Sequence, residues 1–235
     1  MSQKFDRYKD SYREEVTKSI GFIGQDVDFF TRAKTRSLLD VAREGLGDPK
    51  NMEVLDVGCG VGETDRLLAG SFSSLDGVDV SQGAIEAAST TNPWARYASY
   101  DGTTLPYESE SFDLTFTICV MHHVPPEKWA DFTREMARVT RSGGLVVVYE
   151  HNPLNPLTRL AVNRCEFDDD AVLLRMSRTK ELLEGALLEI SSARFILFSP
   201  WRLKGFDRIE PRLGKLPLGA QYYVAGRRSG AVTPE

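Results

Sequence analysis

Apolar positions along the chain switch repeatedly between helical and strand-like spacing, and the switches predict the elements. Over residues 5–20, Phe5, Tyr8, Tyr12, Val16 and Ile20 recur every three or four positions and predict one face of a helix. Gly21 and Gly24 interrupt it. A second helix is expected from a cap at Asp26 to about residue 44, with Val27, Phe30, Ala33, Leu38, Val41 and Ala42 as its apolar stripe. Short apolar runs then predict strands at 53–57, 75–80, 96–100, 111–120 and 145–149, with helical spacing between them. The helix over 127–139 turns Trp129, Phe132, Met136 and Val139 inward, and Arg141-Ser142-Gly143-Gly144 reads as the turn after it. Further on, a helix is expected over 179–189 and strands over 193–198 and 221–225. Between those strands, residues 200–220 read either as a substrate lid or as a plain surface loop.

The first of these strands ends in Asp56-Val57-Gly58-Cys59-Gly60-Val61-Gly62, three glycines spaced two apart, with an amphipathic segment starting near Glu63. A backbone without Cβ can take strained dihedrals and let an adenosine-bearing ligand come close. The spacing discriminates between such ligands. A dinucleotide fingerprint wants Gly-x-Gly-x-x-Gly, but here the third position is Glu63 and the last glycine comes one residue early.

Composition narrows the field further. With 41% hydrophobic and 27% charged residues among 235, the chain has the make-up of a soluble globular protein with room for one domain. Its 29 basic and 34 acidic residues leave a net charge of −5, which gives no general pull toward nucleic acid. No apolar run approaches the ~20 residues of a bilayer span, and residues 1–12 lack the apolar core of a signal peptide. The odd set Cys59, Cys119 and Cys165 points to a reducing, cytoplasmic location.

The segment Asp56 to Gly62 resembles the first motif of class I S-adenosylmethionine-dependent methyltransferases, of the small-molecule, type 11-like kind, and residues 52–228 can be laid on that family's order of elements. The resemblance implies an α/β fold: a Rossmann-like, doubly wound, seven-stranded, mostly parallel sheet with an antiparallel last strand and an N-terminal helical lid. It implies a single domain over 1–235, with 1–50 as the lid, 51–150 as the cofactor-binding core and 151–228 as the substrate side and last two strands. The cofactor would be S-adenosyl-L-methionine, whose ammonium and sulfonium tolerate Glu63 better than a pyrophosphate would.

By the same resemblance Asp56, Gly58, Cys59, Gly60 and Gly62 form the cofactor turn. Asp79, with Val80 beside it, lies 23 residues beyond Asp56, about where a βαβ unit places a carboxylate for both ribose hydroxyls. Asp101, Gly102 and Thr103 would address the adenine, and Cys119 the methionine end. Tyr8 and Tyr12 are candidates to cover the cofactor or simply to dock their helix, and Lys34 to pair with the cofactor carboxylate or to sit in solvent.

His122, His123 and His151, the three histidines of the chain, all fall just past predicted strands four and five. Histidine suits a general base near neutrality, which singles out His123 and His151 ahead of His122. A metal centre of His151 with Asp168, Asp169 and Asp170 is not expected, because three consecutive carboxylates cannot all face one ion. No Cys-x-x-Cys or His-x-x-x-His pair occurs either.

The expected activity is methyl transfer to an oxygen or nitrogen of a small molecule. The phrases beginning at Glu150 and at Leu216 resemble stand-alone methyltransferases of sugar, glycolipid and secondary-metabolite pathways, with quinone-type acceptors open. The competing readings are an inactive S-adenosylmethionine-binding module serving a partner protein, and an NAD-dependent oxidoreductase, which the glycine spacing disfavours.

Overall fold

The structure, a computed structural model, describes residues 17–19, 21, 27–199 and 210–229. Its first long element is helix α1 (Val27–Leu46), followed by β1 (Glu53–Val57), α2 (Glu63–Leu68), β2 (Ser74–Asp79), α3 (Gln82–Thr91), β3 (Arg96–Ser99) and β4 (Phe112–Ile118). The chain continues as α4 (Trp129–Val139), β5 (Thr140–His151), α5 (Pro156–Val162), α6 (Met176–Gly185), β6 (Leu188–Ile196), α7 (Glu210–Leu213) and β7 (Gln221–Arg228). The seven strands form one sheet in the order β3-β2-β1-β4-β5-β7-β6. Only β7 runs antiparallel to its neighbours.

Both faces of this sheet are covered, and the period of two along each strand decides which side chain goes where. Leu55, Val146, Val148, Tyr222 and Val224 pack on one face against Trp129, Phe132 and Met136 of α4 and Leu182 and Leu183 of α6. Their sequence neighbours Val54, Val147, Tyr149, Tyr223 and Ala225 pack on the other face against Leu38, Val41 and Ala42 of α1. Each fully buried side chain of this kind contributes about 1.5–3 kcal/mol, which explains why the central strands read as unbroken apolar runs. Polar positions on the inner face of α1 are satisfied locally: the Thr31 and Thr35 hydroxyls donate to the carbonyls of Val27 and Thr31.

The structure corrects four expectations. Residues 141–144 belong to β5, not to a turn: Thr140 pairs with Phe112, and after a bulge Leu145 pairs with Leu114. Arg141 is held there by Asp113, 2.9 Å away. The helix expected at 179–189 starts earlier and stops at Gly185, because Leu187 takes a positive φ of 61° and Leu188 opens β6. The next strand is correspondingly earlier than the expected 193–198. Helix α5 went unpredicted, although Asn155-Pro156 is a clear start: Asn155 Oδ1 accepts from the amides of Leu157 and Thr158, and proline occupies the first helical turn.

Asn152, Asn155 and Thr158 tie this region to the loop before β7 through the carbonyls of Gly219, Leu218 and Ala220. The N-terminal helix with Tyr8 and Tyr12 lies outside the described residues except for 17–19, which are helical. Of the expected lid or loop at 200–220, residues 200–209 lie outside them as well. No helix among the described residues is long and apolar enough to cross a membrane.

A Cβ on Gly144 would sit 2.6 Å from the Asp113 carbonyl oxygen. Gly144→Ala is therefore expected to destabilise the protein by about 1–3 kcal/mol in chemical denaturation. A shift within about 0.5 kcal/mol, normal for an exposed turn, would contradict the strand assignment.

Candidate active site

The strand order reverses between β1 and β4, and a cleft of about 300 Å³ opens at the carboxyl ends of the strands on either side. Its floor is the turn after β1. The Gly58 and Cys59 amides both donate to the Val78 carbonyl, at 2.7 and 3.0 Å, which folds the turn over the end of β2. Gly58 (φ 85°) has no room for a side chain, since a Cβ would lie 2.4 Å from Val120. Gly60 (φ 53°) differs: nothing lies within 4 Å of where its Cβ would be, and it lines the cleft. Asp79 stands beside it, accepting from the Gly60 amide through Oδ2 and from the Ser81 amide through Oδ1, both at 2.9 Å.

Beneath this floor lies a polar knot that sequence reading missed except for Asp56. The Asp56 and Asp65 carboxyls are buried and hydrogen-bonded to each other. Burial pushes Asp65 up to about 6, and burial together with Asp65 pushes Asp56 well above the usual carboxylate range. The pair therefore holds a proton between them. Tyr97 donates to Asp65 Oδ2 at 2.8 Å, and Asn92 donates to Tyr97 and to the Gly62 carbonyl.

The opposite wall comes from the ends of β4, β5 and β7. Cys119 takes a positive φ of 58°, a conformation that costs a non-glycine residue roughly 1–2 kcal/mol. Lys34 Nζ and Gln221 Nε2 approach its sulfur at 3.9 and 3.4 Å. Next come His122 and His123 in a short 3-10 turn, Met121–His123, pinned from below by the Trp129 indole, which donates to the carbonyls of Met121 and Val124. His122 is bonded through Nδ1 to Glu150 Oε2 at 2.7 Å, with both side chains essentially inaccessible.

Asp168 reaches the same turn from the segment after α5, and the Val172 amide, donating to the His122 carbonyl at 2.8 Å, fastens that segment there. Burial works against a charged His122, but Glu150 and Asp168 outweigh it and hold the imidazole protonated. His151 is pushed down to about 4 by burial and by its neighbour His122, so it stays neutral. Burial also lowers His123, against the pull of Asp168. His151 Nδ1 lies 3.3 Å from Gln221 Nε2.

Of the residues singled out from the sequence, Lys34, Asp56, Gly58, Cys59, Gly60, Asp79, Cys119 and all three histidines line this one cleft. Gly62, Val80, Asp101, Gly102 and Thr103 do not. Gly62 packs against α3, where a Cβ would lie 2.4 Å from Asn92. Asp101 is exposed and turns back on its own loop, where the Thr103 hydroxyl first, and then the Thr104 and Thr103 amides that donate to it, lower it to about 2. Its loop still abuts the right strand end, since the Tyr100 amide donates to the Asp79 carbonyl and Gly102 lies against Val80. Glu150, Asp168 and Gln221 went unassigned as site residues because their roles depend on which strand ends become neighbours.

Comparison with known proteins points the same way as this geometry. Residues 55–148 match the family model described as a methyltransferase domain. Residues 55–148 are thus similar to a methyltransferase domain, and the sheet has the fold of S-adenosylmethionine-dependent methyltransferase structures. Over 108 residues it is 32% identical to 2-methyl-6-phytyl-1,4-hydroquinone methyltransferase of Synechocystis sp., covering 44% of this chain and 33% of that protein. Over 164 residues it is 29% identical to demethylmenaquinone methyltransferase of Clavibacter sepedonicus, covering 68% and 61%. The chain thus spans less than two thirds of the length of either relative. A methyltransferase structure from Thermotoga maritima, described as a possible histamine N-methyltransferase, shares the fold with a TM-score of 0.67 at 18% identity, covering 97% of this chain and all of that one.

The cofactor of the methyltransferase domain is S-adenosylmethionine, and the cleft residues fit it. Space is open above Gly60, and the Asp79 carboxylate, fixed by the Gly60 and Ser81 amides, stands beside it on the cleft. Gly60→Ala should cost only about 1–2 kcal/mol of stability, the strain of a left-handed alanine. Its affinity for S-adenosylhomocysteine in calorimetry should nonetheless collapse, and retained affinity would place the nucleoside elsewhere.

The shared proton gives a second test. Because Asp65 titrates higher in the folded than in the unfolded chain, its contribution is fully present below about pH 4 and is lost as pH rises through its folded value. Asp65→Asn should therefore raise Tm by about 2–4 °C at pH 7.5, the equivalent of about 1 kcal/mol, and by less at pH 5. The reverse order would show that the pair is ionised.

Proposed function

We propose that the protein transfers a methyl group from S-adenosylmethionine to an oxygen or nitrogen of a small molecule, the reacting atom being carried on an apolar body as in a glycolipid or a lipophilic secondary metabolite. What supports this reading is that the glycine turn with Asp79 and the histidine-bearing ends of β4 and β5 line one cleft. The bound cofactor supplies a methyl already activated on a sulfonium. The protein's own work is alignment, exclusion of water and removal of a proton.

In this reading Asp79 accepts from the ribose hydroxyls, Gly60 allows the close approach, Lys34 pairs with the methionine carboxylate, and Asp101 with Gly102 and Thr103 borders the adenine. Leu157, Ala161, Val162, Leu197 and Phe198, all on the cleft, receive the acceptor's apolar part. The hydroquinone and demethylmenaquinone methyltransferases among the relatives support a quinone-type molecule as a further acceptor.

His151 takes the proton. As the acceptor O–H or N–H bond gives way to the bond to the methyl carbon, the carbon–sulfur bond breaks and S-adenosylhomocysteine leaves. His122, held charged by Glu150 and Asp168, is unsuited to that role and instead fixes the turn. The unit would be one domain in which the segment before α1 serves as the lid, in a reducing compartment consistent with the free thiols at Cys59, Cys119 and Cys165.

Mass spectrometry of an acceptor panel incubated with S-adenosylmethionine should find a gain of one methyl group. His151→Ala should lower kcat by about 100- to 10,000-fold while its affinity for S-adenosylhomocysteine stays unchanged. Nucleoside binding with no methylated product across lipid, glycoside and phenolic acceptors would favour the inactive-module reading.

A further inference from the structure

The acceptor end of the cleft carries a set of donor atoms that alignment and proton removal leave unused. His122 and His123 present two adjacent imidazoles from the turn after β4, and Asp168 faces both from the 3-10 turn Glu166–Asp168. Asp168 Oδ1 lies 3.6 Å from His122 Nε2 and 3.4 Å from His123 Nε2, and the three ligand atoms all fall within 4.8 Å of one another. These separations exceed the ~2.7–3.2 Å of a good hydrogen bond. They match instead the edge of a coordination shell, since two donors each ~2.1 Å from one ion at a tetrahedral angle stand about 3.4 Å apart.

The surroundings are those of a ligating histidine. Glu150 Oε2 binds His122 Nδ1 at 2.7 Å, which orients the ring with Nε2 toward Asp168, the carboxylate–histidine arrangement common behind metal-bound imidazoles. Asp170 Oδ1 stands 3.7 Å from His123 Nδ1. The donors are nearly dry, with side-chain exposures of 1%, 6% and 12% for His122, His123 and Asp168, and all three line the cleft.

We propose that His122, His123 and Asp168 bind a divalent transition-metal ion at the acceptor end of the cleft, the ion displacing to solvent the Nε2 proton that His122 otherwise carries. Two imidazoles and one carboxylate suit Zn²⁺, Fe²⁺ or Co²⁺ rather than the all-oxygen shells of Mg²⁺ and Ca²⁺. Three protein ligands leave a coordination position for the acceptor's own oxygen or nitrogen. The ion would hold that atom and weaken its O–H or N–H bond, and the proton would pass to His151, whose ring is 5.1 Å from that of His122. Only this last role rests on the methyl-transfer reading; the binding of the ion does not. The expectation from sequence, that no metal is bound, had considered His151 with the Asp168 to Asp170 run, a different set.

The test is titration of tag-free, chelator-stripped protein with Co²⁺, followed by its visible absorption, and with Zn²⁺, followed by equilibrium dialysis. Wild type should take up about one equivalent of either ion. Asp168→Asn and His123→Ala should abolish the Co²⁺ bands, Glu150→Gln should weaken binding by about 10–100-fold, and Asp169→Asn should bind as wild type does. Melting curves and S-adenosylhomocysteine titrations on the same samples separate misfolding from ligand loss. Wild type that binds neither ion, or ligand variants that keep wild-type affinity, would overturn the site. Ion uptake in a protein that fails to bind the nucleoside would support the site and defeat the methyl-transfer reading alone.

Discussion

Burial of the central strands on both faces is the constraint from which the rest of this molecule follows. Leu145 to Tyr149 of β5 are at most 1% exposed, and Val54, Leu55, Leu114 and Phe116 are fully enclosed. Such strands need helices above and below, and the chain supplies α1 on one side and α4 and α6 on the other. Because the strand order reverses between β1 and β4, the connections leaving these strands diverge, and a crevice is left where they part. The cleft is thus a by-product of covering the sheet, and its walls are whatever residues end those strands.

Two buried polar clusters flank that crevice and are stabilised in opposite ways. Under the glycine turn, Asp56 and Asp65 avoid two adjacent negative charges by holding a proton between them, with Tyr97 and Asn92 anchoring the arrangement to β3 and α3. Across the cleft, Glu150 and Asp168 keep their charges because His122 lies between them. A buried carboxylate costs several kcal/mol unless it is neutralised or paired. The first cluster keeps the cofactor floor rigid with one buried negative charge instead of two, and the second concentrates charge and imidazole nitrogen where an acceptor would enter.

Much of this was legible in the chain. The strand–turn–helix at Glu53 to Glu63, the carboxylate at Asp79 and the clustering of three histidines after two apolar runs depend on local spacing, which the backbone geometry of strands and tight turns dictates directly. Segments whose structure is set by distant partners were misread. Ser142-Gly143-Gly144 has turn chemistry, yet Asp113 and the edge of β4 hold it as strand. Leu187 ends a helix through a positive φ that no residue type announces.

The same division runs through the site. Asp56, Gly58, Gly60 and Asp79 could be placed from order along the chain, because one βαβ unit brings them together whatever the remainder does. Glu150, Asp168 and Gln221 could not. Asp168 is 46 positions from His122 in sequence but touches its ring, and that contact exists only because β4 and β5 are neighbours and the segment after α5 folds back across their ends. Sequence alone determined the central strands, the glycine turn and the family they resemble, since these rest on side-chain periodicity and local backbone freedom. Tertiary structure alone decided which buried carboxylates meet which imidazoles, since that depends on how the sheet orders its strands and on the cost of leaving any of those charges unpaired.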